Sequence, residues 1–186
     1  TITGLVAGSY TCTFTDATTL CIDVQSTIVN EPISDLTITH TIVAITCNGA
    51  GNGGATVWPT GGIPPYVSYL WSGPDPNVAS NTTSSISGVI AGLYTCVVTD
   101  NNGCPQTEII NIIDPPLLTI TSINSNDPSC YLFSTGSATA NVTGGTAAGT
   151  YTYLWNDPLA QTTPTAGNLA AGTYSCQVTD ANGCVA

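Results

Sequence analysis

One phrase recurs three times in this chain, and its spacing limits the possible folds more than any other feature. It runs from Gly4 through Tyr10 and Cys12 to Asp16, from Gly88 through Tyr94 and Cys96 to Asp100, and from Asn168 through Tyr174 and Cys176 to Asp180. Each copy is followed by a short turn and a second cysteine, namely Cys21, Cys104 and Cys184. Tyr69-Leu-Trp71 returns as Tyr153-Leu-Trp155, Cys47 as Cys130, and Glu31-Pro32 as Asp114-Pro115, all in a common register of 80–84 residues. Self-similarity at a fixed period is the mark of a tandem array. It divides the chain into 1–31, the last two strands (F and G) of a repeat; 32–114, a complete repeat; and 115–186, a repeat lacking its last strand. A domain that begins two strands from its own end reads as a window on a longer polymer. The alternative is a subunit whose half-repeats are completed by strand donation from a neighbour.

Within each unit apolar residues alternate with Thr and Ser, as in Leu36-Thr-Ile-Thr, Leu118-Thr-Ile-Thr and Tyr94-Thr-Cys-Val-Val. Period-two alternation rich in β-branched residues describes half-buried strands. Gly-Gly, Pro-Pro, Asn-Gly and Asp-Pro pairs break the chain at intervals too short for a helix of normal length. About seven strands in some 80 residues match a small β-sandwich, so the expected fold is all-β, a tandem of immunoglobulin-like (PKD-like) β-sandwiches. The phrase Leu-x-Ala-Gly-x-Tyr-x-Cys places Tyr10, Tyr94 and Tyr174 as tyrosine corners at the start of strand F. Trp71 and Trp155 then fall where strand C carries a core tryptophan. Ala55-Thr-Val-Trp58 and Ala138-Thr-Ala-Asn-Val142 occupy the strand that would supply the other half of an inter-sheet disulfide, so that bond is not available.

Composition narrows the function classes. The 186 residues hold no Lys or Arg and eleven Asp or Glu, a formal charge of −11. Binding to nucleic acid or to an anionic membrane surface relies on Lys and Arg, so neither is an expected partner. Only 6% of residues are charged but 42% are apolar, which is a folding rather than a disordered composition. No apolar run approaches a membrane span and no signal peptide opens the sequence. Eight Cys without a Met point to an oxidising, extracellular setting. Zinc is disfavoured because no C-x-x-C or H-x-x-x-H spacing occurs and His40 is the single histidine. Without Lys, Lys–Asn isopeptide bonds cannot form, which leaves cysteine as the covalent staple, and trypsin-like proteases find no cleavage site.

These residues resemble the SprB-type repeats of giant Bacteroidetes cell-surface proteins, among them gliding-motility adhesins. The likeness rests on Cys47-Asn-Gly49, Gly61-Gly-Ile-Pro-Pro-Tyr66, Tyr69-Leu-Trp71, Ala91-Gly-Leu-Tyr94 and Asp100-Asn-Asn-Gly-Cys104, repeated more loosely through 115–186. The chain departs from the family pattern in an extra residue between Tyr66 and Tyr69, in Ala147-Ala148 where Pro-Pro would stand, and in Cys where Val follows the corner Tyr. The resemblance implies a secreted or cell-surface protein, exported by the type IX route, with an adhesive or structural role.

Three Cys per repeat is an odd count, so each repeat has either a free thiol or a bond outside itself. Cys47 falls in the A–B loop and Cys104 in the F–G turn at the opposite end of the sandwich, too far apart to pair within one repeat. Head-to-tail stacking sets the A–B loop of one unit beside the F–G turn of the next, which allows a Cys47–Cys184 clasp and makes Cys21, Cys104 and Cys130 further disulfide candidates. Cys12, Cys96 and Cys176 then stand as core thiols. The rival is an internal bond from Cys47 to Cys96 and from Cys130 to Cys176. Asp16, Asp100 and Asp180 read as turn caps ahead of Ca²⁺ ligands; a weak inter-repeat calcium site would draw on Glu31, Asp35 or Asp114. No cofactor is expected. His40 reads as a solvent-facing strand residue without a catalytic partner, and Asp75 and Asp157 lie in loops, so no enzyme activity is expected. Trp58 has no counterpart in the last repeat and is the candidate surface contact for polysaccharide, together with loops 72–85 and 156–166. Asn81-Thr-Thr and Asn141-Val-Thr fit the glycosylation acceptor pattern. The expected function is a structural stalk or filament whose partners are further copies of the repeat; the alternative is a binding module whose loops adhere to polysaccharide or to neighbouring filaments.

Overall fold

The computed structural model describes residues 1–31, 34–146 and 150–186. Pro32 of the first Pro-containing joint, and Ala147-Ala148 where the family pattern has Pro-Pro, lie outside the described residues. The chain is all-β. It opens with a hairpin of β1 (Gly8–Thr15) and β2 (Ile22–Val29), paired antiparallel with Tyr10 opposite Thr27 and Cys12 opposite Gln25.

The middle repeat contains β3 (Thr37–Val43), β4 (Gly53–Thr60), β5 (Ser68–Ser72), β6 (Ser85–Val89), β7 (Gly92–Thr99) and β8 (Pro105–Ile112). They form two antiparallel sheets, β3-β4-β6 and β5-β7-β8. Among the described residues the repeat thus has six strands, against the about seven expected. The loop expected over 72–85 contains a short 3-10 turn, Pro76–Ser80, begun by Asp75, whose Oδ1 accepts from Asn77 N at 3.0 Å. Asp75 is itself buried. A Pro in the first turn and an acidic cap favour this local helix.

Alternation decides which side chains meet between the sheets. Along β7, Tyr94, Cys96 and Val98 point inward and are fully buried, while Leu93, Thr95 and Val97 are exposed or half-exposed. From β8 come Ile110 and Ile112, from β4 Ala55 and Val57, and from β5 Trp71, forming one core. Trp71 adds a polar anchor, since its Nε1 donates to Thr83 O at 2.8 Å.

The last repeat follows the same plan with β9 (Thr119–Asn126), β10 (Gly136–Thr143), β11 (Thr152–Trp155), β12 (Thr165–Leu169) and β13 (Cys176–Thr179). Its sheets are β9-β10-β12 and β11-β13. Where β8 pairs along all of β7, only Val185 bridges to Thr179, with Val178 and Ala186 exchanging backbone bonds. Trp155 is buried and donates to Thr163 O at 3.0 Å, reproducing the Trp71 anchor.

All three tyrosine corners are present. The phenols of Tyr10, Tyr94 and Tyr174 donate to the carbonyls of Val6, Ile90 and Ala170 at 2.7, 2.8 and 3.2 Å.

Candidate interface between repeats

The candidate functional geometry of this chain lies at the junction of the two sandwiches. It is assembled from turn chemistry. In the middle repeat the F–G turn closes through Asp100: its Oδ1 accepts from the backbone of Asn102 and of Cys104, both at 2.9 Å, and its Oδ2 from Ile63 N at 3.0 Å. Asp180 does the same for Asn182, Cys184 and Thr146. Both carboxyls are buried, and the backbone donors hold them below the ordinary carboxylate range, from Ile63 for Asp100 and Thr146 for Asp180 first of all. Asp16 is held down to about 2 by the Thr18 hydroxyl and the Thr18 and Thr19 amides within its own turn.

The Gly-Gly pair of the repeat explains how the Asp reaches the next loop. Gly61 and Gly144 take φ of +76° and +80°, and a Cβ on either would run into a backbone carbonyl, that of Asp35 or Leu117. Gly62 and Gly145 sit against the Asp100 and Asp180 carboxylates, and their N–H groups bond Ser34 O and Pro116 O at 3.0 and 2.8 Å. Only glycine combines this conformation with so close an approach.

Onto this platform in the last repeat comes the A–B loop of the middle one. Cys47 and Cys184 are joined by a disulfide with Cα atoms 5.6 Å apart. Asn48 Nδ2 donates to Pro115 O at 2.9 Å, Gly49 N to Asp114 Oδ1 at 3.2 Å, and Asn182 Nδ2 to Thr46 O at 3.1 Å. A cavity of about 290 Å³ beside the bond is lined by Pro116, Leu117, Leu118 and Gly145 among others. The junction is therefore covalent, hydrogen-bonded and partly apolar.

The other sequence candidates are distributed as follows. The rival internal pairing is absent: Cys96 is a fully buried thiol, raised to about 11 by burial, and Cys176 is a half-buried one that burial also raises. Cys12, expected in a core, is exposed, because no second sheet covers β1 among the described residues. Cys21, Cys104 and Cys130 are exposed thiols. His40 is not simply solvent-facing: its Nδ1 lies 2.6 Å from Glu108 Oε1, tying β3 to β8 across the sandwich edge. That pair was not found from sequence, because only the fold brings the first and last strands of the repeat side by side. Asp157 is buried and accepts from Leu159 N and from the Gln161 backbone and side chain, which lower its pKa with the Gln161 side chain foremost. Asp75 and Asp157 thus each cap their own loop.

Asp114 is engaged by Gly49, while Glu31 and Asp35 are exposed. Among the described residues no three His, Cys, Asp or Glu side chains converge as a metal ion would require. Trp58 lies on β4 with 56% of its surface exposed. Both sequon amides are engaged, Asn81 Nδ2 with Ser85 O and Asn141 Nδ2 with Ser122 Oγ. No helix among the described residues is long and apolar enough to cross a membrane.

Two sandwiches joined head to tail define a tandem β-sandwich repeat protein. The SprB repeat family model matches the chain twice, over residues 39–76 and 122–160, which is consistent with an SprB-type repeat protein; that family is a structural surface repeat of Bacteroidetes-type cell-surface proteins. The two matches cover the same part of successive units, from the first strand past the strand C tryptophan. Among individually curated proteins none matches the chain.

Proposed function

We propose that this chain is a structural segment of a secreted, adhesin-like surface protein, a stalk or filament that holds a distal binding part away from the cell. The observation that carries this reading is the Cys47–Cys184 bond, which fixes one sandwich against the next at the position where successive repeats meet. Pro-containing joints at Glu31-Pro32 and Asp114-Pro-Pro116 support it by limiting bending. The partners are further copies of the same repeat.

Small-angle scattering tests the proposal. A compact globule of this length has a radius of gyration of about 16 Å. A stalk segment gives a value well above that, and the Cys47→Ser variant broadens the distribution of sizes. A globule-like value removes the stalk reading.

Trp58 favours a second reading, a module that adheres to polysaccharide. A large exposed aromatic on a sheet face is the surface that stacks on sugar rings. Binding on a glycan array that is lost in Trp58→Ala supports this reading, and equal binding by both proteins rejects it.

A further inference from the structure

The junction between the two sandwiches has an unfilled copy on either side of it, and this rests on reading the chain as part of an array. On the upstream side, the F–G turn of the middle repeat reproduces the turn that holds Cys184. Asp100 N bonds Cys104 O at 3.1 Å and Gly103 N bonds Asp100 O at 3.0 Å, against 3.0 and 3.1 Å for the corresponding bonds of Asp180, Cys184 and Gly183. Around it Glu31, Ser34, Leu36, Gly62 and Cys104 line an open cleft of about 460 Å³. These match Asp114, Pro116, Leu118, Gly145 and Cys184, the platform on which the Cys47 loop sits. The cleft is therefore a socket with its cysteine in place and, among the described residues, no loop in it.

On the downstream side, the loop at Cys130 has the shape of the loop that fills such a socket. Phe133 N bonds Cys130 O as Ala50 N bonds Cys47 O, at 3.2 and 3.0 Å. Ser129 N is braced by Thr135 Oγ1 as Thr46 N is by Asn52 Oδ1. The backbone match extends to a conformation that side chains rarely adopt: Leu132 has φ +65° where Gly49 has +74°. Holding a leucine there costs of order 1 kcal/mol or more. The loop also exposes Tyr131, Leu132 and Phe133 beside a cavity of about 540 Å³. A strained apolar tip preformed in the shape of a seated loop is what a docking element requires.

We propose that Cys104 and Cys130 are the two open halves of further clasps, Cys104 bonding an A–B-loop cysteine and Cys130 an F–G-turn cysteine of another repeat of this kind. Loop and socket are different surfaces, so the contact is heterologous and propagates along one direction instead of closing into a dimer. The oxidant is a disulfide of the glutathione or dithiol-oxidoreductase class. One cysteine's thiolate attacks it to give a mixed disulfide, and the partner thiolate then displaces the remaining sulfur. Two thiols lose two protons and two electrons, and the oxidant leaves as two thiols. Cys96 and Cys176 take no part, being shielded in or against the cores.

The test is peptide mapping of the intact protein from its native source, alkylated with iodoacetamide in denaturant without reductant and cut with pepsin. The expected result is that Cys104 and Cys130 escape alkylation, each in a cross-linked peptide with a cysteine of another repeat, A–B loop for the first and F–G turn for the second, while Cys96 and Cys176 are alkylated. Alkylated Cys104 and Cys130, or a bond from either to Cys96, Cys176 or each other, overturns the proposal. Extended scattering with both thiols free rejects the clasps and leaves the stalk standing; clasped cysteines in a compact particle do the reverse.

Discussion

The hairpins β1–β2 and β7–β8 are built from the same phrase and reach the same local geometry, yet they occupy opposite environments. Both are antiparallel pairs of eight-residue strands, and both carry a tyrosine corner, with phenol-to-carbonyl bonds of 2.7 and 2.8 Å. In β7, however, Tyr94 and Cys96 are fully buried, whereas in β1 Tyr10 is only partly covered and Cys12 is exposed. The difference is the sheet β3-β4-β6, which packs on β5-β7-β8 and has no counterpart over β1 among the described residues. Local sequence is enough to specify hairpin, register and corner. Burial, and the energy that comes with it, is supplied by the opposite sheet.

Substitutions at matched positions sharpen this contrast. The largest difference is expected for Tyr94→Ala against Tyr10→Ala. The first empties a fully packed aromatic site at a cost of about 3–5 kcal/mol, and the second changes a partly exposed one by less than about 1 kcal/mol. Urea denaturation measures both, and equal losses break the comparison. Next come the thiols: Cys96→Ser buries a hydroxyl and costs about 1–3 kcal/mol, against a change within about 0.5 kcal/mol for Cys12→Ser. Alkylation of the folded protein checks the same point, with Cys12 modified rapidly and Cys96 protected.

Acid offers a third comparison. Folded Asp100 and Asp180 have pKa values below their unfolded ones, so they contribute stability above the unfolded value of about 3.9, and this is lost as pH falls through the lowered folded values. Melting temperature is therefore expected to hold down to about pH 4 and then drop, and Asp100→Asn is expected to flatten that drop. Asp16 belongs to a hairpin that no second sheet covers among the described residues, so Asp16→Asn is expected to alter the acid response of that hairpin and leave the drop of the sandwiches unchanged. A small effect is also expected at His40→Ala. It removes a partly exposed pair with Glu108 and costs less than about 1 kcal/mol in the same denaturation experiment.

What sequence made legible follows the same division between local and distant. The three corners, the inward tryptophans and the capping aspartates are written in short phrases with mechanisms of their own, so their positions could be read directly. Features that need two distant segments were harder to read. His40 and Glu108 meet because the first and last strands of a repeat lie side by side. The choice between Cys47–Cys184 and Cys47–Cys96 turned on which end of the sandwich each loop occupies. The exposure of Cys12 could not come from its phrase, which is the same one that buries Cys96.

The disulfide also changes how the molecule would respond to being pulled. Tension entering near Thr1 and leaving at Ala186 reaches Cys47, crosses to Cys184 through the sulfur bridge, and never runs through the 137-residue separation between them. If both sandwiches unravelled, that stretch would otherwise release roughly 450 Å of slack. With the bridge closed it stays a slack loop outside the load path, so any lengthening under load is confined to the residues before Cys47 and after Cys184.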